Sequence, residues 1–296
     1  MSRLSRRDFL KSSVAAGVLA GTGATASIAQ TTKRAATDWV PLGNSGVKVT
    51  RLAFGTGTFG GRVQRELGQD QFNRLVRHAY DSGIRFFETA DAYTGMPQML
   101  ATALKGIPRD SYKLMTKFRL RDADNPKPTI ERFRKDLDTD YFDILLMHCV
   151  RQPDWMKQFE RLRDEMSEAK QKKMVMAHGA SVHGLLPLRA FPGNKWLDVG
   201  LFRINHDGTR MDTVEAETNR KGDVVEVTKH VKAVHQQGIG VLGMKLCGEG
   251  QFTTPEQRDA SIKYVFGNGL VDAVTIGFKA PSEIDEAIRR INTHLG

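Results

Sequence analysis

The sequence predicts an α/β protein folded as one closed (β/α)8 barrel. Eight short strand-favouring runs alternate with segments whose apolar residues recur at i, i+3 and i+4. Each strand and the helix after it span roughly 25–40 residues, and no change of composition interrupts the series. An open doubly wound sheet is the alternative, but eight strands and the lack of a G-x-G-x-x-G turn favour the barrel. The predicted strands are Leu52–Gly55, Phe86–Ala90, Lys113–Phe118, Phe142–His148, Met174–Ser181, Val199–Asn205, Gly240–Cys247 and Val271–Phe278.

A β-hairpin is predicted over Trp39–Val49, before the first of these strands. Two apolar segments, Val40-Pro41-Leu42 and Val47-Lys48-Val49, flank the turn residues Gly43-Asn44-Ser45-Gly46. We expect this hairpin to close the bottom of the barrel.

The helices have recognisable ends. Thr254 precedes Pro255, which places a capping side chain before a proline at the first helical position. Gly83, Gly238 and Gly269 follow helical segments at the place where a positive φ is wanted. The predicted helical segments include Gln71–Ser82, Thr129–Thr139, Trp155–Lys173, Asp223–Gln237, Thr254–Asn268 and Pro281–His294.

The N-terminus resembles a twin-arginine export signal. Residues 5–11 read S-R-R-D-F-L-K, and an Ala/Gly-rich stretch follows to residue 29. This stretch is too short and too rich in small residues for a stable membrane span. We therefore predict a signal peptide at 1–29, a polar linker at 30–38 and the barrel at 39–296. The signal implies contact with the twin-arginine export machinery and a periplasmic or otherwise exported location in a bacterium, after folding in the cytoplasm; an ordinary secretory signal is the alternative.

Composition narrows the class of partner. The chain has 296 residues, 40% of them hydrophobic, which is ample for one large core. The net charge of +10 fits an anionic ligand such as a dinucleotide, and it equally fits generic surface charge. No basic stripe with interleaved aromatic residues is present, which argues against nucleic acid as a partner. The two cysteines, Cys149 and Cys247, fall on strands nearly opposite in a barrel, so we expect free thiols.

Four side chains with proton-transfer chemistry lie at the ends of three successive strands. Glu88 ends the second predicted strand and Tyr93 lies in the loop after it. Lys117 nearly ends the third strand and His148 ends the fourth. Because barrel enzymes carry their chemistry at the C-terminal ends of strands, and adjacent strands lie about 5 Å apart, these groups can meet.

The four groups suit the reduction of a carbonyl. An oxygen that gains negative charge needs a proton donor, and the Tyr93 phenol has an ordinary pKa near 10. We expect the Lys117 ammonium to lower that pKa, Glu88 to hold the ammonium, and His148 to orient the substrate. The alternatives are a helix-capping Glu88, an ordinary loop aromatic at Tyr93, a structural pair at Lys117 and a core histidine at His148.

The ordered motifs resemble those of the aldo-keto reductase family. The opening L-G-N-S-G-V-K-V and L-A-F-G-T-G, the element F-F-E-T-A-D-A-Y, the pair T-K and the run D-I-L-L-M-H match the family in order over about residues 39–292. The resemblance implies a TIM barrel and an NADP(H)-dependent oxidoreductase, or one using NAD(H), that acts on a small-molecule carbonyl or alcohol. It makes Tyr93 the general acid, Lys117 the modulator of its pKa, His148 the orienting group and Glu88 the partner of Lys117.

The same resemblance implies the cofactor contacts. Gly55 and Thr56 would border the nicotinamide ribose, and Ser181 would contact the carboxamide. The pyrophosphate and the adenosine end would be held by a further set, Lys245, Gly248 and Gly250 for the first and Gly277, Lys279 and Glu286 for the second.

The chain departs from the family pattern at several of these positions. Glu88 stands where the family usually has an aspartate, whose side chain is one methylene shorter. Val182, Leu201 and Met244 replace an asparagine, a glutamine and a tyrosine near the nicotinamide. Glu283 and Ala287 replace the arginine and asparagine near the 2′-phosphate, which leaves Lys279, or less directly Arg289 or Arg290, as the candidate for that group.

Two other functional classes are open. A cofactor-binding barrel with little catalysis, such as a redox-sensing or regulatory subunit, is the alternative that Glu88, Val182 and Leu201 suggest. A metal-dependent hydrolase is disfavoured, because the first strand ends in F-G-T-G without an H-x-H pair, although histidines lie near later strand ends. We therefore predict no metal site, and we expect a monomer.

Overall fold

The computed structural model describes residues 33–216 and 219–295. The predicted signal peptide at 1–29 and the first residues of the linker lie outside the described residues. Eight parallel strands form a closed barrel in sequence order, and the last strand pairs with the first. The predicted barrel is confirmed. The strands are β1 (Trp39–Pro41), β2 (Lys48–Thr50), β3 (Leu52–Gly55), β4 (Phe86–Glu88), β5 (Lys113–Arg119), β6 (Phe142–Val150), β7 (Val175–Val182), β8 (Val199–Arg203), β9 (Gly240–Met244) and β10 (Ala273–Gly277).

Helices cover the outside of this barrel. Their apolar faces pack on the outward-facing residues of the strands in one continuous core. The helices are α1 (Arg62–Arg65), α2 (Gln69–Asp81), α3 (Met96–Leu104), α4 (Pro126–Asp136), α5 (Trp155–Gln158), α6 (Glu160–Gln171), α7 (Leu185–Arg189), α8 (Val224–Gln236), α9 (Pro255–Gly267) and α10 (Pro281–His294).

The hairpin closes the N-terminal end of the barrel, as predicted. Strands β1 and β2 pair antiparallel, and Val40 and Val49 pack with residues of the barrel interior. The turn touches the start of β9 so closely that a Cβ on Gly43 would lie 2.4 Å from the Gly240 nitrogen. The bottom is thus sealed by apolar side chains, which leaves the opposite end for chemistry.

The predicted helix ends are confirmed. Gly83, Gly238 and Gly269 have φ values of +96°, +78° and +58°. Thr254 and Gln257 form a capping box before α9, in which the Thr254 hydroxyl accepts a hydrogen bond from the Gln257 backbone N–H at 3.4 Å.

Several features differ from the prediction, among them the short helices α1 and α7, which were not predicted. Helix α3 was not predicted, because its sequence M-P-Q-M-L-A-T-A-L is mostly apolar and begins after Gly95 without a capping side chain. The segment Trp155–Lys173, predicted as one helix, is two helices that meet at Phe159. Strand β9 ends at Met244 rather than Cys247, since Lys245 adopts a left-handed φ of +66°.

The described part of the predicted linker is packed against the barrel. Ala36 is fully buried and its carbonyl accepts a hydrogen bond from the Leu52 backbone N–H at 2.9 Å. The Arg34 Nε donates to the Leu295 carbonyl at 3.0 Å, which ties this segment to the end of α10. In the part of the chain that the structure describes, no helix is both long and apolar enough to cross a bilayer.

Candidate active site

The four predicted side chains converge at the C-terminal end of the barrel. Glu88 is the last residue of β4, Lys117 lies on β5 and His148 lies on β6. Tyr93 follows in the turn after β4, where its backbone N–H donates to the Ala90 carbonyl at 3.0 Å. The parallel register therefore brings Glu88 and His148, which are 60 positions apart in sequence, to the same end of the barrel.

A buried ion pair lies at the centre of this group. The Lys117 ammonium donates to the Glu88 carboxylate and, at 2.9 Å, to the Thr89 carbonyl. The other Glu88 oxygen accepts a hydrogen bond from the Thr275 hydroxyl at 3.1 Å. Lys117 is 1% exposed and Glu88 is 3% exposed. Through these two contacts, the Glu88 side chain connects β5 and β10 at the C-terminal end of the barrel.

Tyr93 packs over the ammonium. The Lys117 nitrogen lies 4.8 Å from the centroid of the Tyr93 ring, and the His148 ring meets the Tyr93 ring edge-on at 5.5 Å. Among the described residues, the hydrogen bonds from the Lys117 nitrogen go to Glu88 and Thr89 and none goes to the Tyr93 hydroxyl. The ammonium thus acts on the ring face rather than through a hydrogen bond to the phenol.

The pKa of Tyr93 moves in the direction opposite to the prediction. Burial raises the pKa of the hydroxyl well above its ordinary value of 10.0, and the negative charge of Glu88 raises it further. The sequence predicted that Lys117 would lower this pKa. The prediction was wrong because burial of the hydroxyl has the largest effect on this pKa and the negative charge of Glu88, the partner of Lys117, adds to it.

His148 is held as a neutral imidazole. Burial lowers the pKa of its ring well below 6.5, and the charges of Lys117 and Arg119 lower it further. Strand β6 bulges just after His148, since the register with β7 shifts between Met147 and Val150.

The bulge is stabilised by a residue of the neighbouring strand. Cys149 takes a left-handed φ of +62°, and its backbone N–H donates to the Ser181 hydroxyl at 2.9 Å. Ser181 therefore shapes the backbone beside His148, and its predicted contact with a carboxamide stays a prediction.

Both cysteines are free thiols, as expected. The Cys149 sulfur lies 3.4 Å from Nε2 of His183 at the end of the barrel that holds His148. Burial raises the pKa of the Cys149 thiol and lowers the pKa of His183. The pair is therefore a neutral contact, without the thiolate that a nucleophilic cysteine needs.

A cavity of about 540 Å³ opens beside these residues. It runs from Tyr93 and Lys117 past β9 and β10 to Arg290 on α10. Leu201 and Met244, two of the departures from the family pattern, line it. The predicted cofactor residues that line the cavity are Gly55, Lys245, Gly250, Gly277, Lys279 and Glu286.

Four predicted cofactor or substrate contacts lie outside this lining, and one of them is His148, which packs against the Tyr93 ring. Thr56 is fully buried, and its hydroxyl donates to the Glu88 carbonyl at 3.0 Å. Gly248 is buried in the loop after β9, where its N–H donates to the Lys245 carbonyl at 2.9 Å. Ser181 is engaged with Cys149. These residues shape the walls, and their roles toward a ligand stay predictions.

The far end of the cavity mixes cations with carboxylates. One Glu286 oxygen accepts from the Nε atoms of both Arg258 and Arg290 at 2.7 Å. Glu283 accepts a hydrogen bond from the Lys279 backbone N–H at 2.8 Å. Among the described residues, the Lys279 ammonium makes no ion pair, so it is the exposed cation available here.

Three residues of the site were not predicted from the sequence. The Thr275 hydroxyl donates a hydrogen bond to Glu88, which is 187 positions away in the sequence, and no pattern near either residue indicates this contact. Glu249 holds Lys245 in the cavity wall, and its sequence G-E-G reads as an ordinary turn. Gly57 lies so close to Tyr93 that a Cβ there would be 2.5 Å from the hydroxyl oxygen. Gly57 belongs to the F-G-T-G segment. The available signal in the sequence was that a glycine allows another group to approach the backbone closely.

No metal centre accompanies these groups in the described ranges. Residues 33–216 and 219–295 contain no cluster of three or more His, Cys, Asp or Glu side chains placed to hold a metal ion.

Comparison with known proteins places this architecture in a family. A model of the aldo/keto reductase family matches residues 51–286. The chain belongs to the aldo/keto reductase family. The match covers the barrel from β3 into α10, and with it all four converging side chains.

Curated relatives of the family match part of the chain. The L-galactose dehydrogenase of Arabidopsis thaliana is 35% identical over 119 residues, 37% of this chain and 37% of that enzyme. A methylglyoxal reductase of Salmonella typhi is 30% identical over 136 residues, 45% of this chain and 48% of that enzyme. The chain thus spans between about a third and a half of the length of these relatives.

A solved family structure shows the same fold. An aldo-keto reductase from Klebsiella pneumoniae, crystallised in complex with NADPH, superposes with a TM-score of 0.64 at 14% identity. The superposition covers 86% of this chain and 89% of that chain. At this identity the likeness shows the fold alone.

Proposed function

We propose that this protein is a nicotinamide-dependent oxidoreductase that reduces aldehydes or ketones to alcohols, or catalyses the reverse reaction, with NADP(H) or NAD(H) as the cofactor. The observation that carries the proposal is that the Glu88–Lys117 pair and Tyr93 line one end of a 540 Å³ cavity, with His148 packed edge-on against the Tyr93 ring. Family membership supports it, as do relatives named as a reductase and a dehydrogenase and a relative crystallised with NADPH.

The residues present fit a dinucleotide. The cavity is elongated, and backbone approaches it at Gly55 and Gly277, where a Cβ would lie 2.5 Å and 2.3 Å from the Thr275 and Thr58 hydroxyls. Cations line its length, namely Lys245 in the middle and Arg258, Lys279 and Arg290 at the far end. A cavity with cations along its length suits the phosphates of a dinucleotide, which would lie between the catalytic group and α10.

The chain's own residues would manage the proton. The bound cofactor supplies or accepts the hydride at the substrate carbon. Tyr93 keeps its proton until negative charge develops on the substrate oxygen, because burial and Glu88 raise the pKa of the hydroxyl. The Lys117 ammonium, fixed by Glu88 and the Thr89 carbonyl, offers positive charge beneath the ring. The neutral His148 can hydrogen-bond to the carbonyl and orient it.

The charged residues at the end of the cavity near α10 affect the choice between NADPH and NADH. Glu286 pairs with both Arg258 and Arg290, and Asp259 pairs with Arg290 as well, so Lys279 is the residue we assign to a 2′-phosphate. Glu283, in the first turn of α10, opposes such a group by like charge. We therefore expect NADPH to bind, with a smaller advantage over NADH than an arginine at position 283 would give.

Cofactor titration tests this proposal. NADPH and NADH are titrated separately into the purified protein while nicotinamide fluorescence is recorded, and turnover is then measured on a panel of simple aldehydes and ketones. Binding with turnover supports the proposal. A protein that binds neither nucleotide is not an oxidoreductase of this class.

A cofactor-binding barrel with little catalysis is the second candidate. The observation that favours it is the position of Lys117, whose hydrogen bonds go to Glu88 and Thr89 instead of the Tyr93 hydroxyl. Tight binding of NADPH without turnover on the carbonyl panel would select this function, and turnover on simple aldehydes would reject it.

We also propose that the protein is exported through the twin-arginine machinery. The support is the sequence S-R-R-D-F-L-K at residues 5–11 and the small-residue stretch after it. Cell fractionation of the wild type and of an Arg6→Lys/Arg7→Lys variant tests the proposal. Both proteins appearing equally in the exported fraction would reject it.

Gly57→Ala is expected to impair turnover while the fold survives. The new Cβ would lie 2.5 Å from the Tyr93 hydroxyl oxygen and 2.7 Å from the ring carbon that bears it, so the phenol must move. A displacement of about 1 Å at a catalytic group costs about 10²-fold in kcat. Steady-state kinetics and the thermal unfolding midpoint measure the two effects. Gly267→Ala, whose Cβ would meet no atom within 4 Å, is the control and should retain wild-type kinetics.

A further inference from the structure

Glu249 lies in the wall of the cavity and binds two cations at once. One of its oxygens pairs with the Lys245 ammonium, and the other lies 3.4 Å from Nε of Arg210. The carboxylate is mostly buried, with 15% of the side chain exposed. The two cations come from different loops, one after β8 and one after β9, so the carboxylate joins the two loops beside the cavity.

The backbone around this contact is unusual. Lys245 and Glu249 both adopt left-handed conformations, with φ of +66° and +57°. A residue other than glycine is strained in this region, and such residues persist where the surroundings fix them. Gly248 and Gly250 are also left-handed, at +57° and +90°. The loop therefore holds a strained shape in which the Lys245–Glu249 pair is one of the constraints.

An anionic ligand in this part of the cavity would need the Lys245 ammonium. Lys245 and Glu249 both line the cavity between Tyr93 and the cations of α10. A diphosphate carries the same sign of charge as the carboxylate, and two anions at one ammonium repel each other in a poorly hydrated site. The charge of Glu249 also acts on Tyr93, whose pKa it raises, so the carboxylate lies near the catalytic end.

We propose that Glu249 is an internal competitor of the ligand: its carboxylate occupies the anion site at the Lys245 ammonium, and it leaves that site when the diphosphate of a nicotinamide dinucleotide enters. The inference rests on the proposed function for the identity of the displacing group. It makes Glu249 a residue that weakens cofactor affinity and thereby favours release, rather than one that contributes to binding.

Charge removal at this position tests the inference. Glu249→Gln keeps the size of the side chain and removes the competing charge, so its Kd for NADPH, measured by fluorescence titration, should fall about tenfold, equivalent to about 1.4 kcal/mol. Glu256→Gln is the matched control, because Glu256 is exposed seven residues away and the variant has the same net charge. The control should bind NADPH with the affinity of the wild type.

A second titration makes the test independent of the dinucleotide. Inorganic pyrophosphate is titrated calorimetrically into the same three proteins, and Glu249→Gln should bind it more tightly than the other two. Equal or weaker pyrophosphate binding by Glu249→Gln overturns the inference, since it would mean that the carboxylate only braces the loop. Failure of all three proteins to bind NADPH would reject the proposed function alone, because the pyrophosphate result still decides the role of Glu249.

Discussion

Replacing Tyr93 with Phe is expected to lower kcat by about 10²- to 10⁴-fold, the contribution of a general acid. The ring would remain over Lys117 and against His148, because both contacts are made by the ring rather than by the hydroxyl. The Kd for NADPH should therefore stay at its wild-type value. Single-turnover reduction of an aldehyde and a cofactor titration of the same preparation measure the two quantities.

Tyr112→Phe is the control for this experiment. Tyr112 is also buried, but it packs on Phe87 on the outer side of the barrel, away from the cavity. Its variant should keep wild-type turnover. Full activity in Tyr93→Phe would remove Tyr93 as the proton donor and leave the four-residue arrangement without its acid.

The pH profile gives a second readout of the same role. The pKa of Tyr93 is raised and that of His148 is lowered, so the phenol stays protonated and the imidazole stays neutral through the neutral range. Neither group therefore changes its charge between about pH 6 and about pH 9, and the rate of reduction should be constant over this range. A rate that falls with an apparent pKa near 7 would contradict this assignment.

Breaking the Glu88–Lys117 pair is expected to have the largest effect on stability. Both side chains are almost fully buried, and removing one partner leaves the other charge without compensation. Glu88→Gln and Lys117→Met should each lower the free energy of unfolding by about 3–5 kcal/mol. Equilibrium unfolding in urea, followed by far-UV circular dichroism, measures the loss.

The double variant separates the pair from its members. Glu88→Gln combined with Lys117→Met removes both charges, so it should recover most of the stability that each single variant loses. Lys172→Met breaks an exposed pair with Glu168 and should leave the unfolding midpoint unchanged. Additive losses in the double variant would show that the two charges do not interact as the structure places them.

The stability result also bears on catalysis. In the double variant the Tyr93 ring has no ammonium beneath it, so turnover should stay low even though the fold is restored. This outcome would distinguish a chemical role of Lys117 from a purely structural one. Recovery of both stability and kcat would assign the pair to the scaffold alone.

The fold followed from the sequence because its signals are local. Strand-favouring runs separated by segments of helical periodicity specify parallel strands, and glycines after helices mark the turns, as at Gly83 and Gly238. The grouping of Glu88, Lys117 and His148 followed for a related reason. Residues at the ends of neighbouring parallel strands are brought to one edge by the register, whatever lies between them.

The helix and bulge that escaped prediction depend on packing. Helix α3 forms from a mostly apolar segment without a capping side chain and is held by burial of Met96 and Leu100. The bulge after His148 needs the Ser181 hydroxyl of the next strand to accept the Cys149 N–H. Neither feature has a pattern within its own segment, so tertiary contacts decided both.

By itself, the sequence determined the barrel, the closed bottom and the set of side chains at its open end, since each depends on periodicity, turn residues and position along a strand. Only the tertiary structure decided how these side chains behave. The pKa of Tyr93 rises because its hydroxyl is buried and because the negative charge of Glu88, the partner of Lys117, acts on it. The pairing of Lys245 with Glu249 in the cavity wall was likewise decided by the tertiary structure. Charge strength and pairing depend on burial and on distances between segments remote in the chain, and a linear pattern carries neither quantity.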